Sequence, residues 1–169
     1  MLFNSFYPDE YLDSAYDIDY EDLYKKGYRG IIYDIDNTLV PHGFPSDDKS
    51  LALFKRLRLI GFKTMVLSNN KEPRVKMFCD VVDTPYIFKA NKPGRRGYQN
   101  AMRLMDTSCK NTLLIGDQIF TDIYGARRTG IYSILVKPIH PKEEIQIVLK
   151  RILEKIVLFF YLKRKKNGR

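Results

Sequence analysis

Two aspartates two residues apart, Asp34 and Asp36, follow a short apolar run, Ile31-Ile32-Tyr33. Alternate residues of an extended chain share a face, so both carboxylates can reach one pocket. Carboxylates held that close resist double ionisation unless a cation sits beside them. A pair of this kind alone is often a solvated surface feature. Here an apolar run leads into it and Asn37-Thr38-Leu39 closes it. Asp117 and Asp122 in GDQIFTD add two acids behind another apolar run. Asp122 alone would read as the acid of a helix start, but Asp117, directly after a strand-like run and Gly116, would not. Three or four carboxylates at one place suit a hard cation such as Mg²⁺, which keeps waters and so leaves room for a phosphate oxygen. Ser68 and Asn69 end a third apolar run with hydroxyl, amide and N–H donors of the kind that hold phosphate, although ordinary turns use the same groups. Lys92, in KANKPG, carries the positive charge that a phosphate dianion needs beside so many acids.

These groups converge only if the elements behind them line up. The acidic, Tyr-rich lead-in over 7–28 predicts a short helix near 19–26. Residues 31–33, 63–70, 112–118 and 131–136 read as buried strands, and 80–94 as a strand or two with a loop. Between them, helices are predicted over 46–60, capped by Ser46 with Leu51, Phe54 and Leu57 inward; over 72–79, capped by Asn70; over 95–106, with Tyr98, Ala101, Met102 and Met105 inward; and over about 120–128. A last helix is predicted over 142–162. Strands alternating with helices imply a three-layer, Rossmann-like α/β fold with a parallel sheet, here one domain over 1–169. Ligands of such sheets sit beyond the carboxyl ends of the strands, where Asp34, Asp36, Ser68, Asn69 and Asp117 would meet.

Composition narrows the partners. The chain has 169 residues, 29 Lys and Arg against 20 Asp and Glu, and a net charge of +9. Five of those excess charges, Lys163, Arg164, Lys165, Lys166 and Arg169, sit in the final stretch, so nucleic-acid binding by the whole surface is not expected. No apolar run reaches the roughly 18 residues of a membrane span. The acidic start with no early cation argues against a signal peptide. Cys79 and Cys109 read as reduced, packed thiols of a cytoplasmic protein.

Taken in order, Asp34-x-Asp36-x-Thr38, Ser68 after an apolar strand, Lys92, and Gly116-Asp117-x-x-x-Thr121-Asp122 resemble the four motifs of the haloacid dehalogenase-like (HAD) phosphohydrolases. DIDNTLV, LSNN and GDQIFTDIYGA are similar to the subfamily IIIA phosphatases of the YqeG type, which are related to phosphatidylglycerophosphate phosphatases. The resemblance implies a Mg²⁺-dependent phosphomonoester hydrolase. Asp34 would attack phosphorus to give an aspartyl-phosphate, and Asp36 would serve as acid and then base. Mg²⁺ would be held by Asp34, the Asp36 carbonyl and Asp117, with Asp122 orienting a metal water or Lys92. Ser68, Asn69 and Lys92 would bind the phosphate. Only 33 residues separate Asp34 from Ser68 and 23 separate Ser68 from Lys92, too few for a large cap domain. An open site fits a large substrate, a membrane-presented phospholipid phosphate, or cover by another subunit. A soluble sugar phosphate or nucleotide is the alternative substrate. A non-catalytic protein binding RNA or the ribosome is the alternative of another class. His42, just past the first motif, could touch a substrate but reads better as an exposed loop residue.

The C-terminal region carries a stripe of Ile145, Leu149, Ile152, Ile156 and Phe159, and up to Lys155 the helix is expected to cover one face of the sheet. From 156 the chain turns apolar all round and then basic. That pattern suggests peripheral contact of 156–169 with the inner face of a membrane, a dimer contact or simple core packing.

Overall fold

The computed structural model describes residues 4–140 and 145–167, without the side chains of 145–149. Six strands form one sheet: β1 (Glu10–Leu12), β2 (Gly30–Tyr33), β3 (Lys63–Leu67), β4 (Tyr86–Ile87), β5 (Thr112–Gly116) and β6 (Tyr132–Val136). Their order is β1-β6-β5-β2-β3-β4, and every neighbouring pair is parallel. The helices are α1 (Tyr20–Lys25), α2 (Asp48–Ile60), α3 (Glu72–Val82), α4 (Arg95–Met105), α5 (Tyr124–Thr129) and α6 (Ile145–Asn167).

Period-two alternation explains why the strands are apolar throughout. Ile31, Tyr33, Val66, Leu113 and Ile115 face α2 and α3, packing on Leu53, Phe54, Leu57, Val75 and Phe78. Their neighbours Ile32, Met65, Leu67 and Leu114 face the other way, against Tyr98, Ala101, Met105 and Ala126 of α4 and α5. Both faces are covered, as a parallel sheet requires. Between β2 and β3 the chain inserts only a loop and α2, and between β3 and β4 only α3. Among the described residues no cap domain covers the strand ends. β2 has β3 on one side and β5 on the other, so the chain reverses its winding direction there and opens a crevice at the carboxyl ends of β2 and β5.

Local details depart from expectation for identifiable reasons. Residues 10–12 form an edge strand on β6, too short and too polar to stand out in the sequence. Asp47, not Ser46, caps α2: its carboxylate accepts the Ser50 N–H at 2.7 Å, and the Ser50 hydroxyl reciprocates. Phe54 and Leu57 are buried as expected, together with Leu53, whereas Leu51 is half-buried. Lys71, not Asn70, precedes α3, because the Asn70 amide is engaged elsewhere in the site. The predicted helix over 120–128 is a π-helical turn, Ile119–Ile123, running into α5.

The largest correction concerns α6. It runs to Asn167, and its Ile152, Ile156 and Phe159 are 54%, 47% and 62% exposed. The inward face is Glu154, Val157 and Tyr161, packed with Leu158 against Ile119, Ile123, Leu135 and Tyr7 rather than across the sheet. Ile145 and Leu149 of the expected stripe fall outside the described side chains. The hydrophobic pattern reported an apolar face correctly but could not say which face turns inward. Glu154 decides that, because two backbone N–H groups of the π-helical turn need its carboxylate.

One glycine is required by packing between α5 and α4. A Cβ on Gly125 would lie 2.3 Å from the Tyr98 hydroxyl oxygen, and Tyr98 is fully buried. Gly125→Ala is expected to destabilise the fold by about 1–3 kcal/mol, read as a lower urea midpoint.

Candidate active site

The carboxyl end of β2 supplies the first group. The Asp34 N–H donates to the Ile115 carbonyl at 3.0 Å, which continues the β2–β5 pairing and locks Asp34 over the crevice. The chain then turns sharply through Asn37, at φ 62°, with Leu39 N–H donating to the Ile35 carbonyl at 2.9 Å. The turn returns Thr38 beneath the acids. Its hydroxyl lies 3.3 Å from Asp34 Oδ2 and 3.2 Å from Asp117 Oδ1, so its single proton serves one of them at a time.

Lys92 is the centre of charge. Its ammonium donates to Asp34 Oδ1 and Asp122 Oδ1, each at 2.7 Å, with only 4% of its side chain exposed. Burial opposes its charge, but the carboxylates of Asp122 and Asp34 outweigh that and hold the proton on. Asn69 fixes the Lys92 backbone from both sides, accepting its N–H at 2.7 Å and donating to its carbonyl at 3.1 Å. Its amide is thereby turned to Lys92 in this state. Ser68 is buried at the end of β3, where its hydroxyl accepts the Asn70 N–H at 3.1 Å.

Oxygens of Asp34, Asp117 and Asp122 all lie within 4.8 Å of one another, and all three residues are buried. Burial raises the Asp34 carboxyl, with Lys92 opposing it. Burial also raises Asp117 well above the ordinary carboxylate range, reinforced by Asp34 and opposed by Arg151. An all-oxygen set of three carboxylates, faced by Lys92 and Arg151, fits a divalent metal ion. Close approach here depends on Gly116, where a Cβ would stand 2.6 Å from the Asp122 side chain.

The Asp36 carboxylate points away from this cluster. It accepts from the Gly43 N–H at 2.8 Å, Asn70 Nδ2 at 2.6 Å and Arg74 Nη2 at 2.7 Å, with His42 Nδ1 at 3.9 Å. His42 is exposed, as the sequence suggests, and it also borders the site. A cleft of about 200 Å³ joins the parts, lined among others by Asp34, Asp36, His42, Ser68, Asn69 and Lys150.

Arg74, Arg151 and Glu154 are among the site residues that escaped sequence reasoning. Arg74 lies on α3 and looks like any surface cation in the chain. Arg151 and Glu154 lie on α6, where only their i, i+3 spacing marks them as a pair. Arg151 donates to the Asp117 carbonyl at 2.6 Å, makes a second charge-paired contact with the Asp117 carboxylate, and reaches Glu154 at 2.9 Å. Glu154 accepts the N–H groups of Ile119 at 2.7 Å and Phe120 at 3.3 Å. The last helix therefore grips the segment that carries Asp117.

Comparison with known proteins places this geometry. Residues 89–145 match the HAD-hydrolase-like family. The chain is 36% identical over 166 residues to the probable phosphatase YqeG of Bacillus subtilis (strain 168), covering 98% of this chain and 96% of that one. This chain belongs to the HAD-like hydrolases, in the group of YqeG. It is also 27% identical over 165 residues to phosphatidylglycerophosphate phosphatase 1, chloroplastic/mitochondrial, of Arabidopsis thaliana, covering 87% of this chain and 45% of that protein. Among solved structures, the cobalt-bound deoxy-D-mannose-octulosonate 8-phosphate phosphatase YrbI of Haemophilus influenzae shares the fold. Its TM-score is 0.51 at 14% identity, covering 67% of this chain and 80% of that one.

Two predictions follow from the buried charges. The Asp34 carboxyl is pushed up to about 6 from 3.8, so between those values the folded, metal-free chain holds a proton that the unfolded chain has released. That contribution to stability is complete below about pH 4 and lost by about pH 7. Urea unfolding in chelator should therefore show Asp34→Asn gaining stability relative to the native chain as pH rises through this window. Glu154→Ala should destabilise by about 1–3 kcal/mol through its orphaned N–H groups, and Glu154→Gln, which keeps an acceptor, by less.

Proposed function

We propose that this HAD-family chain is a Mg²⁺-dependent phosphomonoester hydrolase that works through an aspartyl-phosphate on Asp34. We further propose that its substrate is a glycerolipid phosphate monoester of the phosphatidylglycerophosphate kind. The observation that carries the chemistry is the meeting of three buried carboxylates, Asp34, Asp117 and Asp122, with Lys92 bridging two of them.

Asp34, Asp117 and the Asp36 carbonyl would hold the ion, and Asp122 would orient Lys92 beside it. When bound, the ion offsets the negative charge that would otherwise keep a phosphate dianion away. The protein's own groups do the rest. An Asp34 oxygen forms the bond to phosphorus while the ester oxygen leaves with its electron pair and takes a proton from Asp36. Water then attacks the phosphorus, giving a proton back to Asp36, and the Asp34–phosphorus bond breaks. Lys92 and Ser68 stabilise the phosphoryl oxygens. Arg74, Asn70 and the Gly43 N–H hold the Asp36 carboxylate at the cleft.

The lipid assignment is supported by the open cleft and by the likeness to the plant phosphatidylglycerophosphate phosphatase. A soluble sugar phosphate or nucleotide is the competing substrate within the same chemistry. No helix among the described residues is long and apolar enough to cross a membrane. Residence in the cytoplasm with peripheral contact on the inner leaflet is part of this reading.

Turnover of p-nitrophenyl phosphate tests it. Chelator should abolish activity, Mg²⁺ should restore it and Ca²⁺ should not; full activity in excess chelator refutes the metal scheme. Asp34→Asn should lower kcat by about a thousandfold or more while the chain stays folded. Asp36→Asn should cost about 10²–10⁴ with alkyl phosphates and much less with p-nitrophenyl phosphate, whose leaving group needs no proton. Release of inorganic phosphate from phosphatidylglycerophosphate, set against a panel of sugar phosphates and nucleotides, identifies the substrate class.

A further inference from the structure

Along the outer face of α6, Ile152, Leu153, Ile156 and Phe159 are 54%, 56%, 47% and 62% exposed. Ile152, Ile156 and Phe159 follow the i, i+4, i+7 spacing of one helical face, with Lys163 one turn on. At about 1.5 Å per residue, Ile152 to Phe159 make an apolar strip about 10 Å long. Isolated exposed hydrophobics are ordinary; a contiguous strip of four is not. Exposed cations border it: Lys150, Lys155, Lys163, Lys165 and Lys166. The one acid between residues 150 and 167 is Glu154, which is buried on the opposite side against the π-helical turn.

We infer that this face of α6 is the docking surface for an anionic lipid bilayer, an inference that rests on the lipid-phosphate reading of the active site for its purpose but not for its physics. An apolar strip rimmed by one sign of charge suits a surface that is apolar inside and negative at its rim. A second copy of the chain would be a poor occupant. A two-fold pairing must be self-complementary, and here it would set lysines against lysines. A nucleic acid would use the cations and leave the aliphatic groups in water. The helix also orients the enzyme. Lys150, at its near end, lines the active-site cleft together with Asp34 and Asp36. A helix lying in the interface thus holds the mouth of the cleft at headgroup level.

The stretch 156–162 divides between the outer face and the core. Val157 and Tyr161, within the apolar stretch 156–162, belong to the core, Tyr161 packs on Tyr7, and Arg164 donates to the Asn4 side chain at 2.8 Å. Deleting the tail would therefore damage the fold, and point substitutions on the outer face are the proper probe. The full chain is sedimented with vesicles of phosphatidylcholine alone or with about 30% phosphatidylglycerol. Binding is expected only to the anionic vesicles and should weaken with salt. Ile156→Glu with Phe159→Glu should lower the bound fraction at least about tenfold. Ile156→Leu with Phe159→Leu should retain binding, and both pairs should keep the native melting temperature and p-nitrophenyl phosphate turnover. No binding by the native chain, or equal binding by the Glu pair, overturns the inference. So does a native dimer in light scattering that the Glu pair converts to monomer. Vesicle binding by a chain that releases no phosphate from any lipid would leave the docking surface standing and defeat the proposed substrate.

Discussion

An ammonium buried between two carboxylates has no stable alternative arrangement, and the rest of the site is organised around that fact. Lys92 bridges Asp34 and Asp122 with 4% of its side chain exposed. Removing either acid would leave the ammonium with a single partner, and removing the lysine would leave two buried carboxylates facing each other. Each partner comes from a different part of the chain: the end of β2, the loop before α4, and the π-helical turn after β5. The triad therefore ties three segments of the chain together. Asn69 clamps the Lys92 backbone, and Gly116 lets Asp122 approach, so the geometry is defended one layer further out.

Asp117 stands apart from that balance. Thr38 can give it a shared proton at most, and its main counter-charge is Arg151 on the last helix. Asp34 and Asp117, both raised by burial, thus face different cations on different elements. The Asp36 carboxylate is separated in the same way. Asp36, two residues from Asp34, turns to Arg74, Asn70 and the Gly43 N–H, with its own donors and its own orientation. Two carboxylates adjacent in sequence are given unlike surroundings by the tight turn at Asn37.

Much of this was legible in the sequence, because strands buried on both faces are written as uninterrupted apolar runs. Those runs end where chemistry begins, at Asp34, Ser68 and Asp117. Lys92 was legible too, from the need for charge beside the acids. What stayed hidden depends on distance in the chain. Arg74 reaches Asp36 across 38 residues, and Arg151 reaches Asp117 across 34, with no local signal in either case. The edge strand β1 exists only because β6 offers it a free edge. The inward face of α6 was misread because a polar requirement, two N–H groups awaiting Glu154, outweighed the apolar stripe in setting the helix rotation.

That grip by Glu154 and Arg151 bears on the order in which the molecule comes into being. Synthesis runs from β1 toward α6, so the sheet, Lys92, Asp34 and Asp122 can all be in place while the helix that holds the Asp117 segment is still to be made. The loop that carries Asp117 is braced by residues translated after every other part of the site. A growing chain would thus have its fold before its carboxylate cluster was fully held, and that cluster would be completed only once the last helix had been delivered.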